Sequence, residues 1–134
     1  MTQAASTNPP IKTLTKRADF LAANAGTRNA RPGFVLLTRP NDGQGIRFGI
    51  TVTKKIGNAV VRNRMKRRFR ELLRAALPVQ GLADHDHVLI GRAGGLERDF
   101  HLMADELATA LDRAREGRGD PAGGRRPRRG NRKP

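Results

Sequence analysis

The sequence predicts an α/β sandwich, a sheet on one side with helices packed on the other. Three observations predict it. Apolar residues alternate over Ile46–Thr53, the period of a half-buried strand. Two later segments, running from Asn58 and from Leu96, repeat their apolar residues at helical spacing. The segments follow one another as helix, strand, strand, helix, strand, helix. A chain of 134 residues with 37% apolar content supports one modest core plus tails.

Residues 1–11 are small and polar and contain Pro9-Pro10, so they are expected to be disordered. Leu14 to about Ala25 reads as a short helix, with Thr15 as its N-cap and Gly26 near its end. Phe34–Arg39 is a short apolar strand between Pro32-Gly33 and Pro40-Asn41-Asp42-Gly43. In the next strand Ile46, Phe48, Ile50 and Val52 face one way, and Arg47, Gly49, Thr51 and Thr53 the other. These two strands are expected to pair as an antiparallel hairpin with a long, mobile loop. Further short strands around residues 27–33 are compatible with the pattern.

Asn58 is a good N-cap for the following helix, and Pro78 is expected to stop it. On a 3.6-residue period Val61, Met65, Phe69, Leu72 and Ala76 share a face, with Leu73 at its edge. His87–Gly91 is a short strand of the buried type. Leu96 to about Arg115 is a second long helix, with Leu96, Phe100, Met103, Leu107, Leu111 and Ala114 on one stripe. From Gly117 onward Ala122 is the only apolar residue, which predicts a disordered basic tail.

Charge narrows the function. The formal net charge is +15 and the pI about 11.8, the range in which nucleic acid or an anionic membrane is the expected partner. Between Lys54 and Arg74 lie nine basic residues against one acid, Glu71. A solvated helix normally mixes signs. This one repels itself until bound phosphates neutralise it. The same stretch carries the apolar stripe, so it is a docked helix rather than a basic tail. There is no cysteine, which excludes disulfides and thiolate zinc sites. No run approaches the roughly 20 apolar residues that span a bilayer, and the N-terminus has no apolar signal core, so a soluble cytoplasmic protein is expected.

Other constellations carry less. Asp84-His85-Asp86-His87 reads as a polar turn entering a strand rather than a metal site, and His101 as a solvated residue. Asp99, Asp105, Glu106 and Asp112 fall mostly on the outer side of the last helix, where they balance Arg98, Arg113 and Arg115. Gly43-Gln44-Gly45 and Gly94-Gly95 match neither phosphate-loop nor dinucleotide spacing. No catalytic or metal residue is expected in this chain.

Lys54-Lys55-Ile56-Gly57-Asn58-Ala59-Val60, running into Arg62-Asn63-Arg64, Lys66-Arg67 and Arg70-Glu71, resembles the signature of the bacterial ribonuclease P protein subunit. Arg17-Ala18-Asp19-Phe20, Phe34-Val35-Leu36 and Asp86-His87-Val88-Leu89-Ile90 resemble, in order, that family's first helix, first strand and late strand. The resemblance implies a domain over 12–116, flanked by the disordered segments 1–11 and 117–134. It implies a two-layer, ribosomal-protein-like α/β sandwich with a left-handed βαβ crossover, where the general rule favours right-handed. It also implies an accessory to a catalytic RNA that removes the 5′ leader of precursor tRNA. The RNA would perform the hydrolysis and hold the Mg2+ ions, and no protein oligomer would be required.

By position, Arg62, Asn63 and Arg64, with Lys54, Lys55, Asn58, Lys66, Arg67, Arg68 and Arg70, would form the RNA-binding surface. Arg17, Phe20, Phe34 and Leu36 would form the leader cleft. The chemistry agrees for the helix. Arginine presents a planar fork to phosphate, and asparagine can donate and accept toward bases or 2′-hydroxyls. The helix N-terminus near Asn58 adds a favourable place for a phosphate. The cleft departs from the family pattern. Ala22-Ala23-Asn24 lacks a second aromatic, a residue is missing before Gly26, and Leu37 stands where a tyrosine is often found. Leader binding is therefore expected to lean on charge, and Phe20 reads about equally well as a core residue. Two other readings stay open at this point, a structural ribosomal protein binding rRNA and a basic DNA-binding protein.

Overall fold

A computed structural model describes residues 11–120. The elements in order are β1 (Ile11–Thr13), α1 (Arg17–Ala23), β2 (Thr27–Ala30), β3 (Phe34–Pro40), β4 (Ile46–Thr51), α2 (Ala59–Gln80), β5 (His85–Gly91), a single 3-10 turn (Ala93–Gly95) and α3 (Phe100–Arg115). The five strands form one mixed sheet in the order β1-β4-β5-β3-β2. The α/β expectation holds. The expected segment 1–11 lies outside the described residues except for Ile11, which belongs to β1.

The expected β3–β4 hairpin does not form. β5 lies between the two strands, antiparallel to β3 (Phe34↔Gly91 to Pro40↔His85) and parallel to β4 (Arg47↔Asp86 to Thr51↔Ile90). The cause is the double-sided burial of β5. Val88 packs in one apolar cluster and Leu89 in the other, on opposite faces of the sheet. A strand apolar on both faces belongs at the centre of a sheet. The connection from β4 to β5 is thus a crossover through α2. The loop between β3 and β4, expected to be mobile, is tied down by Asn41, which donates to the Gly45 carbonyl (2.8 Å) and to Asp86 Oδ1 (2.9 Å).

Both faces of the sheet are covered. Phe34, Leu36, Phe48 and Leu89 pack against Met65, Phe69, Leu72, Leu73 and Leu77 of α2 and Met103, Leu107 and Leu111 of α3. Phe34 and Phe69 meet edge to face, ring centroids 6.2 Å apart. The opposite face carries a smaller cluster of Leu14, Ala23, Val35, Leu37 and Val88, with Phe20 against it. The expectation that every helix lies on one side is therefore corrected: α1 crosses the far face.

Element boundaries differ from expectation for local reasons. The Leu14 amide donates to the Phe48 carbonyl (2.7 Å), extending the pairing of β1 with β4. The chain is thus still extended at Leu14, and α1 starts at Arg17 without a side-chain cap. Asn58 caps α2 as expected, accepting from the Val61 amide (3.0 Å). Pro78 does not stop α2, which continues to Gln80. The missing proline N–H costs only one bond in the final turn, to the carbonyl of exposed Arg74. α3 begins at Phe100 rather than Leu96, because Asp99 provides the cap by accepting from the Leu102 amide (2.9 Å). Residues 117–120, expected to belong to a disordered tail, form a strap along β2 instead. The Asp120 amide donates to the Arg28 carbonyl (2.7 Å), and Asp120 Oδ2 accepts from the Ala30 amide (2.7 Å). Residues 121–134 lie outside the described residues.

Candidate nucleic-acid interface

The apolar stripe of α2 fixes which of its cations face outward. With Met65, Phe69, Leu72, Leu73 and Leu77 buried, Asn63, Arg64, Arg67, Arg70 and Arg74 are exposed, and Arg62 and Lys66 are half-buried at the borders. Lys54, Lys55 and Asn58 are exposed in the turn that leads into the helix. Among the described residues, none of the cations of Lys54–Arg74 pairs with an acid. Elsewhere arginines do pair, Arg98 with Glu106 at 2.6 Å and Arg115 with Asp112 at 2.7 Å. The uncompensated charge is thus concentrated on α2 and at its N-terminus, where the helix dipole adds to it.

Arg68, expected on the RNA surface, points elsewhere. Its guanidinium donates to the Arg98 carbonyl and lies over the Phe100 ring, 5.9 Å from the centroid. Helical geometry turns it toward α3, away from Lys66 and Arg70, so it joins α2 to the entry of α3.

Beside α2 lies a groove of about 410 Å3 lined by Thr15, Arg17, Phe20, Ile50, Thr51, Val52 and Lys66. A smaller hollow of about 160 Å3 adjoins it, reaching from Phe20 and Gly49 to Lys66 and Arg70. Phe20 and Lys66 line both, so α1, β4 and the basic helix share one concave surface. Arg17 and Phe20 are brought together there as expected. Phe34 and Leu36 are not. Both are fully buried on the opposite face, between the sheet and the two long helices, so neither can touch a strand lying in the groove. The residues of β3 that face the α1 side are Val35 and Leu37. Period-2 alternation from Phe34 separates these two sets. It does not say which set meets α1.

Phe20 has a specific seat. Its ring rests over Gly49 of β4, where an added Cβ would lie 2.4 Å from one ring carbon and 2.6 Å from another. The ring can come so close only because the strand is bare there. Phe20 is half-buried, so its ring both packs on the sheet and borders the groove.

α1 is further held by charge. Arg47 binds Asp86 through two bonds, Nε to Oδ1 at 2.7 Å and Nη2 to Oδ2 at 2.9 Å, and reaches Asp19 of α1 at 3.7 Å. Burial would raise the Asp86 pKa, but hydrogen bonds from Arg47 and Asn41 and the charge of Arg47 outweigh it and hold the carboxyl below its usual range. The Arg47 pKa is raised in turn, chiefly by its hydrogen bond to Asp86. Thr15, Ile50, Thr51 and Val52 also line the groove, and sequence reasoning missed them. Ile50, Thr51 and Val52 had only the alternation of β4 as a signal, which does not reveal what lies opposite, and Thr15 read only as a helix cap.

The Asp84–His87 run is engaged internally. Asp84 accepts from the Gly45 amide (3.0 Å), Asp86 holds Arg47, and His87 accepts from the Leu82 amide (3.1 Å). Among the described residues no three His, Asp or Glu side chains converge as metal ligands. Asp86, Glu106, Asp112 and Glu116 are each paired with an arginine.

The Ribonuclease P family model matches residues 9–115. A curated relative, the ribonuclease P protein component of Erythrobacter litoralis (strain HTCC2594), is 76% identical over 111 residues, covering 83% of this chain and 92% of that protein. That of Paramagnetospirillum magneticum (strain ATCC 700264 / AMB-1) is 43% identical over 106 residues, covering 75% and 80%. Among solved structures, the RNase P protein from Thermotoga maritima superposes with a TM-score of 0.66 at 35% identity, covering 75% of this chain and 96% of that one. The Staphylococcus aureus RNase P protein gives 0.64 at 31% identity, covering 76% and 94%. An unpaired basic helix beside a groove with one aromatic wall, the five-stranded sheet beneath it and a family match across nearly all the described residues agree: the chain belongs to the ribonuclease P protein component family.

Proposed function

We propose that this chain binds the catalytic RNA of ribonuclease P through α2 and assists removal of the 5′ leader from precursor tRNA. The observation that carries the reading is the continuity of the two surfaces. Lys66 belongs both to the unpaired cation array of α2 and to the wall of the groove that holds Phe20. Lys54, Lys55, Asn58, Arg62, Asn63, Arg64 and Arg67 would meet phosphates and 2′-hydroxyls of the catalytic RNA. Arg17, Lys66 and Arg70 would follow the backbone of a single strand in the groove, with Phe20 offering one stacking surface.

Hydrolysis, and the Mg2+ ions it uses, belong to the RNA in this reading. The protein supplies neutralising charge and grip on substrate. One copy suffices, and the setting is the cytoplasm, where tRNA precursors are processed. Among the described residues no helix is long and apolar enough to cross a membrane. The family match favours this reading over a structural ribosomal protein or a DNA-binding protein. Reconstitution with the organism's catalytic RNA tests it. The protein should accelerate leader removal at low magnesium. Equal rates with and without it would refute the proposal.

A further inference from the structure

Arg47, Gly49 and Thr51 of β4 share the face that meets α1, because alternate residues of a strand point the same way. Each meets it differently. Thr51 lines the groove, Gly49 seats the Phe20 ring, and Arg47 reaches Asp19 at 3.7 Å. α1 is otherwise lightly held. It has seven residues, no side-chain cap and one fully buried residue, Ala23. Consecutive residues of a helix point about 100° apart, so Asp19 and Phe20 fasten different sides of α1. The ring seat sets the height of the helix over the sheet, and the Asp19–Arg47 contact sets its roll. Arg17 and Phe20, three residues apart, share the side that borders the groove. The roll of α1 therefore decides how both stand toward Lys66 of α2.

Arg47 is a fixed point because the sheet holds it independently of α1. Its Nε and Nη2 bind buried Asp86, which also accepts from Asn41, and its carbonyl accepts from His87 Nδ1 (3.0 Å). Exposed ion pairs are weak partly because two long side chains must be ordered to make them. Here the guanidinium is already clamped, and its remaining Nη1 is presented to α1. We infer that Asp19 is a positioning residue for precursor recognition: its contact with Arg47 fixes the roll of α1, and with it the stance of Arg17 and Phe20 in the groove. Resting on the reading that the groove takes the 5′ leader, Asp19 raises the preference for precursor over mature tRNA. Simple electrostatics assigns the opposite sign, since an anion on α1 repels the phosphates of a strand in the groove. Removing the charge separates the two.

The test uses the full chain reconstituted with the catalytic RNA and compares affinity for precursor tRNA with affinity for mature tRNA. Asp19 is the residue to vary. Its side chain is 29% exposed, so its change leaves no buried group unpaired, whereas loss of Arg47 would leave buried Asp86 without its partner. Asp19→Asn should lower the precursor preference about 2- to 5-fold, the scale of one partly exposed ion pair. Asp19→Glu, which keeps the charge and can still reach Arg47, should retain most of that preference. Asp105→Asn, at an exposed acid of α3, controls for net charge and should leave it unchanged. In a chain already carrying Arg17→Gln and Phe20→Leu, Asp19→Asn should have little further effect. The inference fails if Asp19→Asn prefers precursor as strongly as wild type or more so, or if its loss is as large in that double variant. It fails also if affinity for the catalytic RNA falls by the same factor, which would make Asp19 a support of the whole fold. A wild-type holoenzyme with no preference for precursor would instead overturn the leader-groove reading, and this inference with it.

Discussion

Gly49→Ala is the sharpest probe of the groove. The new Cβ would lie 2.4 and 2.6 Å from two Phe20 ring carbons and 3.2 Å from Leu14 Cδ1. Carbon pairs settle at about 3.5–4.0 Å, so the ring has to retreat by roughly 1 Å or more. The atoms struck are the far end of a side chain, so α1 can yield, and the stability cost should sit near the lower end of the about 1–3 kcal/mol typical of overpacking. The functional cost is separate. A ring lifted from its seat no longer presents the same face to the groove, and base–aromatic stacking is worth about 1–3 kcal/mol per base. The assay compares affinity of the reconstituted holoenzyme for precursor tRNA with affinity for mature tRNA. Gly49→Ala should shrink that preference about 5-fold or more, while the affinity between protein and catalytic RNA holds. An unchanged preference in a folded variant would refute the argument that Phe20 works from the groove wall.

Lys66→Ala with Arg70→Ala should weaken binding of catalytic RNA or precursor and lower the salt dependence by roughly 0.7–0.9 per lost phosphate contact. Arg68→Ala should leave that slope alone and cost about 1–2 kcal/mol of stability instead, through its lost carbonyl bond and ring contact; salt titration with thermal melting separates the two. Acid should unfold the protein partly through His87, whose pKa burial pushes down to about 4 against an ordinary 6.5. Because the folded-state value is the lower one, the unfolded chain binds the proton first. Stability is then full above about pH 6.5 and falls toward pH 4, by about 3 kcal/mol in all from this group. Denaturant titration across that range checks it, and a flat profile in which His87→Gln behaves like wild type would contradict it.

Much of the protein is legible along the chain because the signals are local. The alternation of β4, the apolar stripe of α2 and the Asn58 cap are each written in short windows. So is the unbalanced charge of Lys54–Arg74, because outward-facing cations are counted by helical phase. The identity of the basic helix comes from the same stretch. The neighbour that faces a residue across the fold is not local. Phe34 and Leu36 are expected in the cleft by their resemblance to a strand that borders it. Only the tertiary arrangement turns them toward α2 and α3 and leaves Val35 and Leu37 to α1. Along the chain Arg68 is one more cation of the basic run; α3 packed beside it sets it apart. The sequence marks β5 as a buried strand, but that β3 and β4 are the neighbours on its two sides is set by the crossover through α2, which no single strand records. The strap at Asp120 is hidden for a similar reason. Its composition favours disorder, and it is ordered by hydrogen bonds to β2, some 90 residues earlier in the chain. Periodicity and charge are properties of short windows, so the sequence carries them alone; long-range contact decides which face of each periodic element becomes core, groove or anchor.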